Sequence, residues 1–282
     1  MTGTWFCGDR ECHTLPVDDR GLHYGDGLFE TIAIRDGRPR LWSLHVDRLQ
    51  SSGDRLSIEI PAPDQLRANL DNAIGSSGKT ARATAKIIVT RGSGRRGYRY
   101  AENSSPRTII GIFDTPIEPS ENWERGVVVR LCTLRLASQP ALAGMKTLNR
   151  LEQVLARSEW QDASIAEGLM MDADGNVVCG TMCNVFFVDG ARVITPAITV
   201  SGVCGVMRRH IIEIMHRAKF SIAVEPVTTA EMRECREIFL CNSQIGVWPV
   251  RECAGSRYSA PGPMTQRIME LLAHSGIVEC RQ

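Results

Sequence analysis

The sequence has almost no excess of charge of either sign: 33 Lys and Arg stand against 32 Asp and Glu, a formal net charge of +1 over 282 residues. A balance this close creates no overall field to gather a polyanion, so neither nucleic acid nor an acidic membrane surface is implied, and any affinity for anions has to be local. The N-terminal region also lacks an apolar run, because Arg10, Glu11, Asp18, Asp19 and Arg20 interrupt its short apolar pieces. Neither a signal-peptide core nor a membrane span fits there, and a cytoplasmic protein is expected. There are ten cysteines, yet no paired C-x-x-C unit and no nearby Cys/His quartet: Cys7 and Cys12 are five apart, Cys179 and Cys183 four apart. No metal site is expected, and the thiols are expected to stay reduced and to behave as small apolar side chains. Neither a repeat period nor a low-complexity tract is present, which excludes a solenoid.

What is present is ordinary globular composition, 43% hydrophobic and 23% charged. The length lies near the point where a single core stops growing, so two domains are expected. Residues 28–34 (LFETIAI) are rich in β-formers and run into an Asp36-Gly37 turn, a strand entering a hairpin. Residues 41–56 read as a helix, and 83–90 (ATAKIIVT) and 108–113 (TIIGIF) as strands, giving an α+β domain over 1–114. Residues 115–121 (TPIEPSE) carry two prolines and no apolar period, which marks a linker. The second domain, 122–282, combines strands near 127–131, 168–171, 185–188, 222–224 and 238–241 with helices over 149–160, 206–218 and 264–273. The fold class is therefore α/β, in the α+β sense, with two domains.

Lys146 is the first chemical candidate. Leu148, Leu151 and Leu155 follow it at helical spacing, and Asn149 with Glu152 has the form of a capping box, so a helix is expected just beyond the lysine. A lysine at the lip of a packed element, preceded by Gly144 and Met145, can project into a cleft where desolvation lowers its pKa and frees the amine as a nucleophile. Arg48 lies on the helical stripe of Leu41, Leu44 and His45, and a cation on an inward face needs an anion, either a bound one or a local acid such as Asp47 or Asp54. The turn Gly202–Met207, including Gly205, Val206 and Met207, leads directly into an amphipathic helix and offers free backbone N–H groups to an anion. Asn242 and Ser243 follow a strand and read either as a second such turn or as a plain strand end. The loop 90–100 carries Arg91, Arg95, Arg96 and Arg99, which suits a carboxylate ligand or a solvated surface.

Three segments in order, DRGLHYGDGLFET (19–31), TRGSGRRGY (90–98) and GMKTLNRLEQVLAR (144–157), resemble the fold-type-IV pyridoxal-phosphate enzymes. The run K-x-LNRLEQVLAR and the T-R-G-S-G-x-R-G-Y loop are similar to the aminodeoxychorismate lyase family within that class, and the resemblance spans essentially the whole chain. It implies a two-domain fold with the cofactor cleft between the domains and a homodimer. It implies pyridoxal 5'-phosphate as cofactor, with Lys146 as the Schiff-base lysine and acid/base. Arg48, the turn at Gly205, Val206 and Met207, and Asn242 with Ser243 would hold the phosphate. The implied substrate is a dicarboxylate, 4-amino-4-deoxychorismate, split into 4-aminobenzoate and pyruvate for folate synthesis, with Arg91 and Arg96 binding its carboxylates. The alternatives are an aminotransferase for D-amino or branched-chain acids, a non-catalytic cofactor-binding relative, or a thiol or metal site unrelated to this cofactor. Phe29 speaks against the aminotransferase, because it occupies a position that is tyrosine in several of them.

One residue departs from the pattern. Enzymes of the class usually place a glutamate near the pyridine nitrogen, and the matching position here is Cys179, in VCGTMCNV. A thiol holds a pyridinium poorly unless it ionises beside the ring. Three readings stay open: Cys179 as a substitute partner, another group or water on the nitrogen, or weakened chemistry.

Overall fold

The computed structural model describes residues 3–8 and 10–280. The chain divides into two compact units, Met1–Ile117 with Met145–Asn149, and Glu118–Gly144 with Arg150–Gln282. The first of the three switches between them, after Ile117, falls inside the stretch read as a linker. Lys146, which the sequence assigns to the second domain, is grouped with the first unit.

The first unit contains strands β1 (Thr4–Cys7), β2 (Arg10–Glu11), β3 (Gly27–Arg35), β4 (Arg38–Pro39), β5 (Arg82–Thr90) and β6 (Arg107–Asp114). Its helices are α1 (Arg20–Tyr24), α2 (Trp42–Leu56) and α3 (Pro63–Ser77). The strands form one antiparallel sheet in the order β2-β1-β6-β5-β3-β4. Asp36 and Gly37 both have positive φ (50° and 72°), the backbone that a tight hairpin between twisted strands requires, and they turn β3 into β4. Helix α3 is absent from the sequence reading, although Pro63 at its start, Gly78 at its left-handed end and the buried spacing Leu66, Leu70, Ala73, Ile74 are ordinary helix signals. Those four join Ile32, Ile34, Ala85, Ile87, Ile110 and Ile112 in the core of this unit.

Because β4 pairs only with Ile34 and Arg35, the start of β3 keeps an open edge. Residues 146–148 take it: Phe29 N–H donates to Lys146 O (2.9 Å), and Leu148 N–H donates to Gly27 O (3.0 Å). This backbone pairing fixes Lys146 beside Phe29.

The second unit comprises α4 (Glu121–Glu124), β7 (Val127–Arg135), α5 (Leu151–Arg157), β8 (Ile165–Met171), β9 (Val177–Gly180) and β10 (Asn184–Asp189). It continues through β11 (Arg192–Thr195), α6 (Val206–Arg217), β12 (Ser221–Val224), α7 (Thr229–Glu234), β13 (Glu237–Asn242), β14 (Gly246–Cys253), β15 (Ser256–Arg257) and α8 (Pro263–His274). Its mixed sheet runs β12-β11-β10-β13-β14-β7-β8-β9, with β15 on β14. Phe186 and Phe239 stack at 4.8 Å between centroids in its interior. Helix α5 corrects the sequence reading. It spans seven residues, its N-cap is Arg150, and no capping box forms. Asn149 donates instead to Gly25 O, while Glu152 accepts from Ala137 N–H.

Candidate active site

Alternation along β3 puts Leu28, Glu30 and Ile32 on the buried face and Phe29 and Thr31 on the half-exposed one. A carboxylate on the core face is tolerated only with partners, and α2 supplies them. His45 Nδ1 lies 2.6 Å from Glu30 Oε2, and Arg48 donates from Nε to Oε1 (2.8 Å) and from Nη2 to Oε2. Burial alone would raise the Glu30 carboxyl, but the charges and hydrogen bonds of Arg48 and His45 hold it at about 2. Burial pushes the His45 imidazole down against the pull of Glu30. The cluster at neutral pH is therefore an ionised carboxylate, a guanidinium and a neutral imidazole. The acid that meets Arg48 is Glu30, fifteen or more residues from both it and His45 in sequence, rather than Asp47 or Asp54.

On the other face, Lys146 Nζ lies 4.3 Å from the centroid of the Phe29 ring and Lys86 Nζ 5.1 Å from the same centroid. Lys86 stands opposite Thr31 across the β3/β5 pair. Burial lowers its pKa, and among the described residues no carboxylate pairs with it. Two amines over one aromatic ring make an electropositive spot with an apolar wall, suited to a carboxylate-bearing ligand. The sequence reading misses Glu30 and Lys86. Both carry a signal: Glu30 is an acid in phase with Leu28 and Ile32, and Lys86 is a cation out of phase with Ala83, Ala85 and Ile87.

The second unit holds Cys179, Gly205, Val206, Met207, Asn242 and Ser243 of the predicted residues. A Cβ at Gly205 would lie 2.0 Å from Asn184 Oδ1, so any larger residue there has to displace the Asn184 side chain. Asn184 Nδ2 meanwhile donates to Val203 O at 2.9 Å. Helix α6 starts at Val206 without a side-chain cap, and its first amides suit an anion. Asn242 is committed to the strand-ending turn, its Oδ1 accepting from Gln244 and Ile245 N–H and its Nδ2 donating to Cys183 Sγ. Ser243 beside it is half-buried. Cys179 is buried, and burial first, then the Glu167 charge, pushes its thiol up to about 12, so it does not ionise. The Glu167 carboxylate accepts from the N–H groups of Gly168, Thr181 and Met182 and from the Thr181 hydroxyl. It thereby pins the turn after Cys179.

The Gly/Arg loop requires a correction. Arg91 is 3% exposed, and its guanidinium donates to Asp26 Oδ2, Ser57 O and Leu56 O while lying 3.8 Å from the Tyr100 ring centroid. It is a structural tie rather than a carboxylate clamp, because its fork is spent on internal acceptors. Arg95, Arg96 and Arg99 are exposed.

The family model for class IV amino-transferases matches residues 27–253. An aminodeoxychorismate lyase of Vibrio harveyi is 36% identical over 272 residues, covering 94% of this chain and 97% of that protein. The crystal structure of the 4-amino-4-deoxychorismate lyase of Pseudomonas aeruginosa superposes with a TM-score of 0.91 at 42% identity, covering 96% of this chain and 98% of that one. A hypothetical aminotransferase of Mycobacterium tuberculosis, in its PLP-bound form, has a TM-score of 0.82 at 19% identity, over 98% of this chain and 99% of that one, and is alike in fold. The chain belongs to the class IV amino-transferase family.

Proposed function

We propose that this chain is a pyridoxal-phosphate enzyme that splits 4-amino-4-deoxychorismate into 4-aminobenzoate and pyruvate. The observation that carries the reading is Lys146, held beside Phe29 by backbone pairing to β3, in a chain 36% and 42% identical to two lyases of that specificity. The residues fit the cofactor. Lys146 offers a primary amine, Arg48 a guanidinium oriented by Glu30, and the Gly205–Val206–Met207 turn an uncapped helix start where a side chain would collide with Asn184. Lys146 would anchor the cofactor, and Arg48 and the turn would hold its phosphate. Ser243 would assist.

When bound, pyridoxal 5'-phosphate supplies an electron sink for the negative charge that develops at the substrate carbon. Lys146 would take the proton from the amine-bearing carbon and return one to the enolpyruvyl group as its C–O bond breaks and the ring becomes aromatic. Lys86 and Arg96 would bind the two carboxylates, and Phe29 would wall the site against water. Cys179, a neutral thiol, would offer the pyridine nitrogen only a weak hydrogen bond. Loss of one proton followed by aromatisation demands less of a protonated ring than transamination does.

We place the protein in the cytoplasm; among the described residues no helix is long and apolar enough to cross a membrane. We also propose a homodimer. Leu151, Val154 and Leu155, 76%, 61% and 57% exposed, form an apolar stripe on α5 of the kind that a second copy covers.

The test is an absorption spectrum of the purified protein before and after borohydride reduction, peptide mapping of the product, and a product assay. A yellow protein that yields a pyridoxyl-labelled Lys146 peptide and forms 4-aminobenzoate and pyruvate in equal amounts is expected. A protein that takes up no cofactor, or one that only exchanges amino groups with 2-oxo acids, overturns the reading.

A further inference from the structure

A glycine-rich loop with four arginines would be expected to spread into solvent, because like charges repel and glycine adds backbone freedom. In this chain the loop is strapped down at two places by the short helix α1 and the residues just before it. At the first, Arg20 N–H donates to Gly92 O (2.9 Å), Gly94 N–H donates to Asp18 O (3.2 Å), and Asp19 forms an antiparallel bridge with Ser93. At the second, the Arg20 side chain, on a residue only 4% exposed, donates from Nη1 to Gly97 O (2.9 Å) and from Nη2 to Tyr98 O (3.0 Å). Gly97 N–H in turn donates to the Tyr24 hydroxyl (3.0 Å), and the Tyr24 and Tyr98 rings meet edge to face at 5.5 Å. Asp26 holds the Arg20 guanidinium from behind through Nε (2.8 Å), and the Tyr24 ring lies under it at 4.8 Å.

Arg95 and Arg96 are the two residues between these anchors, and both are exposed on a fixed backbone. We propose that Arg20 is a positioning residue for substrate binding: it holds the Gly97–Tyr98 backbone so that Arg96 is presented to a substrate carboxylate before the substrate arrives. This rests on the lyase reading for the identity of the substrate but not for the existence of the strap. A guanidinium suits the task because its planar fork reaches two successive carbonyls while its third edge takes the Asp26 carboxylate, which a lysine ammonium cannot do in one geometry. Ordering the loop in advance removes the entropic cost of immobilising its arginines on binding, so the strap acts on substrate affinity rather than on the chemical step.

The experiment uses the cofactor-loaded protein and the variants Arg20→Met, Arg20→Lys and the milder Tyr24→Phe, which removes only the acceptor for Gly97 N–H. Steady-state lyase kinetics are measured beside limited trypsin digestion, with cuts after Arg95, Arg96 and Arg99 followed by mass spectrometry. The expected result for Arg20→Met is a KM raised about ten-fold with kcat within about two-fold, what ordering one or two arginines on binding would cost. Cuts after Arg95 and Arg96 should quicken by about ten-fold or more, as for a segment released from its anchors. Arg20→Lys should stay impaired although the charge is kept, and Tyr24→Phe should move both readouts the same way by a smaller factor. Unchanged trypsin rates overturn the strap, and a fall in kcat at constant KM overturns its role in substrate binding. If the unaltered protein forms no 4-aminobenzoate, the lyase reading fails, while the trypsin rates still decide whether Arg20 holds the loop.

Discussion

The first unit contains two clusters built on the same plan, one carboxylate between two bases, and they are put to different uses. Glu30 lies between His45 and Arg48; Asp26 lies between Arg20 and Arg91. In the first cluster Arg48 grips the carboxylate through Nε and Nη2, and its side chain stays 12% exposed. In the second, Arg20 and Arg91 keep 5% and 3% and extend their remaining donors to four main-chain carbonyls, those of Gly97, Tyr98, Ser57 and Leu56. A guanidinium aimed by a carboxylate and still partly open is a preoriented cation that can meet an incoming anion. One whose fork is closed by carbonyls is a fastener. Arg48 is therefore suited to a ligand and Arg91 to architecture, although a sequence count of cations treats them alike.

Lys146 provides the widest separation between the two clusters. Lys146→Ala removes the proposed anchor and proton carrier beside the first cluster and leaves the second untouched, so lyase turnover should fall by about a thousand-fold or more. The folded state should persist, read as an unchanged denaturation midpoint of the cofactor-free protein. A variant that still turns over within about ten-fold of the unaltered enzyme would remove Lys146 from the mechanism.

Arg91→Met and Arg48→Met split the clusters directly. Arg91→Met leaves Asp26 with one buried cation and empties two carbonyls, a loss of about 3 kcal/mol in denaturant-unfolding stability, with little change in cofactor affinity for the molecules that remain folded. Arg48→Met should also destabilise, since it strips Glu30, but its signature is cofactor affinity weaker by about a hundred-fold in an absorbance titration. Equal loss of cofactor affinity in both variants would erase the distinction.

The contrast explains which parts of the molecule are legible in the sequence. Strands β3 and β5 and helices α2, α6 and α8 announce themselves through local pattern, and Lys146 through its place between a small-residue approach and an apolar period. The pairing of Arg91 with Asp26, Leu56 and Ser57 joins residues that are 34 to 65 apart, and no local pattern encodes it. The same holds for α5, where Asn149 and Glu152 have capping-box spacing but Gly25 and Ala137 claim them. Glu30 is a different kind of omission. Its phase with Leu28 and Ile32 marks a buried acid, and a buried acid implies a basic partner that His45 and Arg48, three apart on α2, are spaced to supply.

Acid should find the first cluster through stability. The Glu30 carboxyl is at about 2 in the folded chain against 4.5 for an unperturbed group, so its contribution is fully present above about pH 4.5 and is lost as pH falls toward 2. The size is on the order of 3 kcal/mol. His45, depressed by burial, adds loss of the same sign that begins as pH falls through 6.5, because the unfolded chain takes up the proton first. Asp26 is also held below its ordinary value by the hydrogen bonds and charges of Arg91 and Arg20, against burial, and so acts in the same direction. Glu30→Gln should therefore flatten the decline between about pH 4.5 and 2.5 in urea-unfolding free energies, and a curve as steep as that of the unaltered protein would remove Glu30 as its source.

Lys86 offers the smallest and most selective effect, since it belongs to neither cluster. Its amine is half-buried over Phe29, burial lowers its pKa, and no carboxylate among the described residues offsets that penalty. Removing such a cation relieves a cost to the folded state and takes away a binding partner for substrate. Lys86→Met should leave stability equal or slightly raised, leave the cofactor spectrum unchanged, and raise KM by about ten-fold, the worth of one charge-assisted contact to a carboxylate. If stability falls while KM holds, Lys86 supports the sheet and the carboxylate contact has to come from Arg96 alone.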